Sequence, residues 1–173
     1  MANGGSRPAF WGVVVAVVVC DLITKVVAVA TLSRVPRQVV GDWVTLQLVY
    51  NPGAAFGVHV GPYSRWVFLV LALVALVVLG SMVRQTHETQ VVRLVALGLV
   101  CGGAVGNLID RVRSPRGVVD FIDVGIGTLR WPTFNVADMA VTCGAVVLAM
   151  VLWQEGRREQ GARDERDGAT VTS

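Results

Sequence analysis

"FNVADMAVTCGAVVLAMVLW", residues 134–153, decides the fold. It is long enough to cross a bilayer as a helix, which takes about 20 predominantly apolar residues. Yet Asp138 stands near its start, with Asn135 one turn before it and Thr142 one turn after, on one helical face. An ionised carboxylate near a bilayer centre costs roughly 2.5–3.5 kcal/mol on insertion scales and less near an interface. A membrane helix that carries such a group does so for a reason.

Three more stretches of the 173-residue chain read the same way, Phe10–Leu32, Arg65–Val83 and Val91–Ile109. Charges, Gly or Pro bound each, and Trp11, Trp66 and Trp153 stand near span ends, where interfacial aromatics are favoured. The chain is 54% hydrophobic and 16% charged, with a mean hydropathy of +0.62. Soluble domains carry about 25% charged residues. A net charge of +3 and no basic stripe give no nucleic-acid footprint. Cys20, Cys101 and Cys143 lie inside apolar runs, which suits small buried hydrophobes and not a disulfide framework or a Cys-x-x-Cys metal site. The first apolar run exceeds the 7–15 residues or so of a signal-peptide core, so it reads as a retained anchor.

Four spans place both termini on one side. Seven arginines fall on each side, so the positive-inside rule does not orient the chain. Two connections, 33–64 and 110–133, are long enough to hold structure. Residues 43–50 alternate with period 2 and carry β-branched and aromatic side chains, which predicts a strand. "NPGAAFG" (51–57) then supplies turn chemistry, and "RGVVDFIDVGIG" (116–127) is a second strand-like piece. Residues 1–153 form one domain in this reading, and the Arg/Glu/Gly-rich 154–173 is expected to be disordered.

Polar residues within the spans carry the chemistry. Asp21 and Lys25, at i and i+4, share a helix face and can neutralise each other as a structural pair. Gly98, Gly102 and Gly106 make a doubled small-xxx-small face that lets another helix approach. Asn107, Asp110 and Arg111 form a polar patch at the end of the third span, which capping, salt bridging or a site role would each explain. Asp120 lies between Val119 and Phe121, without a basic neighbour in the local sequence. If Asp120 and Asp138 met across the third loop, they could not both ionise cheaply, and the pair would share a proton. That is aspartic-protease chemistry, in which one carboxylate takes a proton from water while the other protonates the carbonyl. Asp123, three residues on, would point away from Asp120 in a strand and is expected to be a bystander. His59 and His87 are isolated, and no zinc motif or phosphate loop is present. A proton-coupled transporter using Asp21, Asp110 and Asp138, or an assembly factor packed through the glycine face, would also account for charged spans. The transporter reading gives no role to a structured loop that carries Asp120.

"DLITK" (21–25), "NPGAAFG" (51–57), "GNLIDR" (106–111), "GVVDF" (117–121) and "FNVADMAVTCG" (134–144) occur in this order between four spans. Together they resemble the signature segments of the bacterial lipoprotein signal peptidase family, signal peptidase II. Leu22 departs from it, standing where many members have a polar residue. The resemblance implies a membrane all-α fold with a small β element: four transmembrane helices with an outer β-cradle and a short helical element. It implies an intramembrane aspartyl endopeptidase of the bacterial cytoplasmic membrane, with both termini cytoplasmic and the site on the extracytoplasmic face. Such an enzyme cleaves prolipoproteins before a diacylglyceryl-modified cysteine. By motif, the catalytic residues are Asp120 and Asp138, and Asn51, Gly53, Asn107, Arg111 and Asn135 shape or support the site. The implied partners are prolipoproteins and membrane lipids, with no nucleic acid, metal or organic cofactor, and the chain is expected to be a monomer.

Overall fold

The computed structural model describes residues 7–53 and 61–171. Among the described residues, four helices are long and apolar enough to cross a membrane. They are α1 (Pro8–Thr31), α2 (Ser64–Gln85, entered through a 3-10 turn at Gly61–Tyr63), α3 (Val91–Arg113) and α4 (Val136–Val171). Their bounds follow the four apolar runs, with one informative shift. The fourth helix begins at Val136, so Asp138 belongs to its first turn and not to its interior.

The central helix is α3, which packs on all three others, whereas α2 packs mainly on α3. The reason is legible in its glycines. A Cβ on Gly102 would stand 2.8 Å from Val17 Cβ, and one on Gly106 would stand 2.5 Å from Asp21 Oδ2. The Gly98/Gly102/Gly106 face therefore seats α1. A second small-residue face seats α4: a Cβ on Gly103 would strike the Ala137 carbonyl, and one on Gly144 would stand 2.8 Å from the Ala96 carbonyl. Phe10, Val83, Leu94, Leu97 and Cys101 form the core cluster at the other end of the bundle from the sheet. There Arg7 of the chain's start donates to the carbonyls of Arg84 and Thr86, closing the C-terminal end of α2. At the sheet end Arg65 does the same for α3, through the carbonyls of Arg111 and Val112.

A four-stranded antiparallel sheet in the order β1-β2-β3-β4 joins the helices at that end. Its strands are β1 (Arg37–Val40), β2 (Val44–Asn51), β3 (Val118–Ile126) and β4 (Leu129–Arg130). The alternating stretch at 43–50 is β2, displaced by one residue, and "VVDFIDVGI" is β3. Their register pairs Thr45 with Asp123 and Val49 with Asp120 across a bulge between Leu46 and Val49. Gly117, which opens β3, has φ +95°, and a Cβ there would collide with the Asn51 backbone.

Beyond the span, α4 continues without a break through Val171. Arg, Glu, Gln and Ala are strong helix formers, and a helix already nucleated in the membrane extends at one hydrogen bond per added residue. The start of this extension is tied down. Glu155 accepts from Arg93 at 3.0 Å and from Gln90 at 3.2 Å, and the Arg157 guanidinium lies over the Trp153 ring.

Candidate active site

The site is assembled where β2, β3 and the facing ends of α3 and α4 meet. Asn135 sits just before α4, and its side-chain Oδ1 accepts from the Asp138 backbone N–H at 2.9 Å. In return Asp138 Oδ2 accepts from the Asn135 backbone N–H at 3.1 Å. This reciprocal pair is a capping box with Asp in place of Glu. It explains why a membrane helix tolerates Asp138: the carboxylate satisfies an orphan donor at the positive end of the helix.

The Asn135 amide nitrogen points the other way. It donates to Asp120 Oδ1 at 2.7 Å and lies within 3.1 Å of Asn107 Oδ1 and 3.3 Å of the Val119 carbonyl. One fully buried side chain thus holds the start of α4, the strand carrying Asp120 and α3 together. Asn51 Nδ2 donates to the second oxygen, Asp120 Oδ2, at 3.1 Å. Asn107 Nδ2 donates to Asp138 Oδ1 at 2.8 Å. Each of the four carboxylate oxygens receives an N–H, three from side-chain amides and one from the backbone.

Asp120 is 2% exposed and lies on a strand. Burial pushes its carboxyl up from 3.8 to about 7, and the nearby charge of Asp138 pushes the same way, against the Asn51 and Asn135 amides and Lys25. Asp120, Asp138, Asn51, Asn107 and Arg111 line one cavity of about 470 Å³, which is walled further by Trp131, Pro132, Thr133, Phe134 and α4. Two carboxylates on one cavity, the buried Asp120 holding its proton near neutrality and Asp138 half-buried, can supply a base and an acid to one carbonyl.

The other expected residues fall around this pair. Gly53 donates its N–H to Asn51 Oδ1 at 3.0 Å, a tight turn that aims the Asn51 amide at Asp120. Arg111 donates to the Gly53 carbonyl and to the Asn107 carbonyl, both at 3.1 Å, tying the turn to α3. Residues 54–60, the rest of the "NPGAAFG" segment and His59, lie outside the described residues. Asp21 and Lys25 pair at 2.7 Å, and Asp21 Oδ1 accepts the Ala137 N–H of α4 at 2.9 Å.

Sequence reasoning missed how far Lys25 reaches. Its Nζ also lies 2.8 Å from Asp110 Oδ2 and donates to Asn107 Oδ1 at 3.0 Å. Asp110 accepts the Val119 N–H next to Asp120. The structural pair is therefore a triad, one amide away from Asp138. Its spacing of 82–85 residues along the chain left no local signal. Asp123 does stand apart from Asp120, as the strand parity predicts, but it is buried and bonded to Thr45, Gln47 and Arg130.

Comparison with known proteins bears on this arrangement. The model of a family described as signal peptidase (SPase) II matches residues 13–154. The lipoprotein signal peptidase of Paraburkholderia phymatum is 38% identical over 162 residues, covering 92% of this chain and 95% of that protein. That of Burkholderia mallei is 36% identical over 164 residues, covering 94% and 96%. Among solved structures, a bacterial membrane enzyme determined by the in meso method superposes with a TM-score of 0.75 at 30% identity, covering 85% of this chain and 88% of that one. A second, also determined in meso, gives 0.71 at 29% identity, covering 83% and 91%. With four apolar helices, a carboxylate pair at the sheet and a match over most of its length, the chain belongs to the signal peptidase II family.

Proposed function

We propose that Asp120 and Asp138 are the catalytic pair of an aspartyl endopeptidase that cleaves prolipoproteins before a diacylglyceryl-modified cysteine. Membership of the family makes the chain a multi-pass membrane peptidase that removes signal peptides from prolipoproteins. The observation that carries the assignment is the one cavity on which both carboxylates open. Asp138 takes a proton from water as the water oxygen bonds to the scissile carbonyl carbon. Asp120, whose carboxyl titrates near neutrality, gives its proton to the carbonyl oxygen. Collapse of the tetrahedral intermediate then breaks the C–N bond: the amine leaves with the proton that Asp138 took from water, and Asp120 takes back a proton from the intermediate's hydroxyl as the new carboxyl forms. The amides of Asn51, Asn107 and Asn135 hold both carboxylates in place and leave the chemistry to them.

The depth of the site suits a lipid-modified substrate. Asp138 lies in the first turn of a membrane helix, where a peptide bond can sit beside buried acyl chains, each CH₂ contributing about 0.8 kcal/mol. In this reading the termini are cytoplasmic and the sheet is extracytoplasmic, in the bacterial cytoplasmic membrane. The arginines at the sheet end, Arg34, Arg37, Arg111, Arg113 and Arg116, then lie near anionic headgroups.

The test is cleavage of a synthetic lipobox peptide in micelles, with and without the diacylglyceryl group, at equal concentrations. Asp120→Asn and Asp138→Asn are each expected to lower turnover about 100- to 10,000-fold in folded protein. The unlipidated peptide is expected to be cut at least about 100-fold more slowly, roughly 2.7 kcal/mol of transition-state binding. Near-normal turnover by either variant overturns the pair. Equal rates on both peptides, or a product without N-terminal cysteine, overturn the substrate assignment.

A further inference from the structure

β3 carries two buried carboxylates three residues apart, and the mechanism uses only one of them. Asp123 is 6% exposed, and its Oδ2 accepts from Thr45 Oγ1 at 3.0 Å and from Gln47 Nε2 at 3.1 Å. Its Oδ1 accepts from Arg130 Nε at 3.1 Å. Arg130 also donates to Thr45 Oγ1 at 3.0 Å and to the Asp42 carbonyl. A buried charge provided with this many partners fixes whatever those partners touch.

Two of them govern the cavity wall. Arg130 ends β4, and residues 131–134 run from it to Asn135, the cap of α4. The next residue, Trp131, donates its backbone N–H to the Val124 carbonyl at 2.8 Å. Gln47 gives its amide to Asp123 and, at 3.3 Å, to Thr133 Oγ1. Thr133 lines the same cavity as Asp120 and Asp138. Since its oxygen accepts from Gln47, its own hydroxyl hydrogen is left to give, and no acceptor takes it among the described residues.

We propose that Thr133 is a substrate-binding residue whose hydroxyl donates to a backbone carbonyl of the bound peptide, and that Asp123 positions it through Gln47. Asp123 is thus a positioning residue, acting on binding and not on the proton transfers. The inference rests on the cavity being the peptidase site. A peptide carbonyl is the fitting acceptor because the donor is neutral, single and set beside the carboxylates, where the chain on either side of the scissile bond must pass.

Steady-state kinetics on the lipidated peptide test it, with Asp120→Asn run in parallel. Thr133→Val is expected to raise KM about 3- to 10-fold, the range of one neutral hydrogen bond, with kcat within about twofold. Thr133→Ser restores the hydroxyl and is expected to recover most of the loss. Gln47→Ala is expected to raise KM similarly, and adding it to Thr133→Val should have little further effect, since both break one chain of contacts. Asp123→Asn is expected to act in the same direction, and Gln47→Ala keeps the test decisive if that variant folds poorly. Unchanged KM in Thr133→Val and Gln47→Ala, full additivity of the two, or a fall confined to kcat overturns the proposal. Those results with an inactive Asp120→Asn remove only this inference, whereas an active Asp120→Asn removes the catalytic assignment beneath it.

Discussion

Asp120→Asn should flatten the dependence of stability on pH while it abolishes cleavage. Burial, followed by the charge of Asp138, raises the folded-state value of Asp120 from 3.8 to about 7. Between about pH 4 and pH 7 the folded protein therefore holds a proton that the unfolded chain has released. The stabilisation is present in full below that window and is lost as the pH rises through it. At 1.36 kcal/mol per pH unit, the interval from 3.8 to about 7 bounds the loss at about 4 kcal/mol. Asparagine has no such proton to lose. The new amide would face the donors of Asn51 and Asn135, a fixed cost that is the same at every pH and cancels when slopes are compared. Thermal unfolding in detergent from pH 4.5 to pH 8 reads the effect. The scan captures the part of this loss above pH 4.5, at most about 3.4 kcal/mol, so at roughly 2–4 °C per kcal/mol for a chain of this size the midpoint of the variant should gain on the wild type by up to about 7–14 °C between the two ends. Parallel curves would refute the reasoning, because Asp120 would then titrate alike in the folded and unfolded states.

Two further perturbations address the frame around the site. Lys25→Met leaves Asp21 and Asp110 facing each other without their shared cation, and should destabilise by about 3–5 kcal/mol. Replacing Asp21, Lys25 and Asp110 together by apolar or amide residues should cost less than that single change, as thermal unfolding of both variants would show. A triple variant less stable than Lys25→Met would contradict a triad held by charge compensation. Gly103→Ala drives a methyl into the Ala137 carbonyl and should cost about 1–3 kcal/mol, since α3 and α4 must separate to admit it. Gly12→Ala, where a Cβ meets nothing within 4 Å, is the matching control, and equal midpoints for the two would refute the close-packing account.

Hydropathy made the four spans plain, because nothing but a bilayer suits such runs. The carboxylates were legible for the opposite reason: Asp120 and Asp138 are conspicuous against Val, Phe and Ala. The start of the fourth span was read two residues early, at Phe134 instead of Val136. Phe134 and Asn135 continue the apolar run in composition, but Phe134 bridges to Ile122 of the sheet, and the helix starts two residues later. β1 and β4, of four and two residues, are too short for a periodic signal and exist because β2 and β3 offer them edges. The reach of Lys25 to Asp110 is set by how tightly glycine lets α1 and α3 approach, which no window along the chain reports.

The atoms that cap α4 are those that grip the carboxylates, and this bears on the order in which the protein is made. α4 leaves the ribosome after α1, α2 and α3, and until its first turn closes on Asn135 there is neither a fixed Asp138 nor the Asn135 amide on Asp120. On the proposed assignment, Asp120 and Asp138 become a working pair only once that turn has closed on the rest of the bundle.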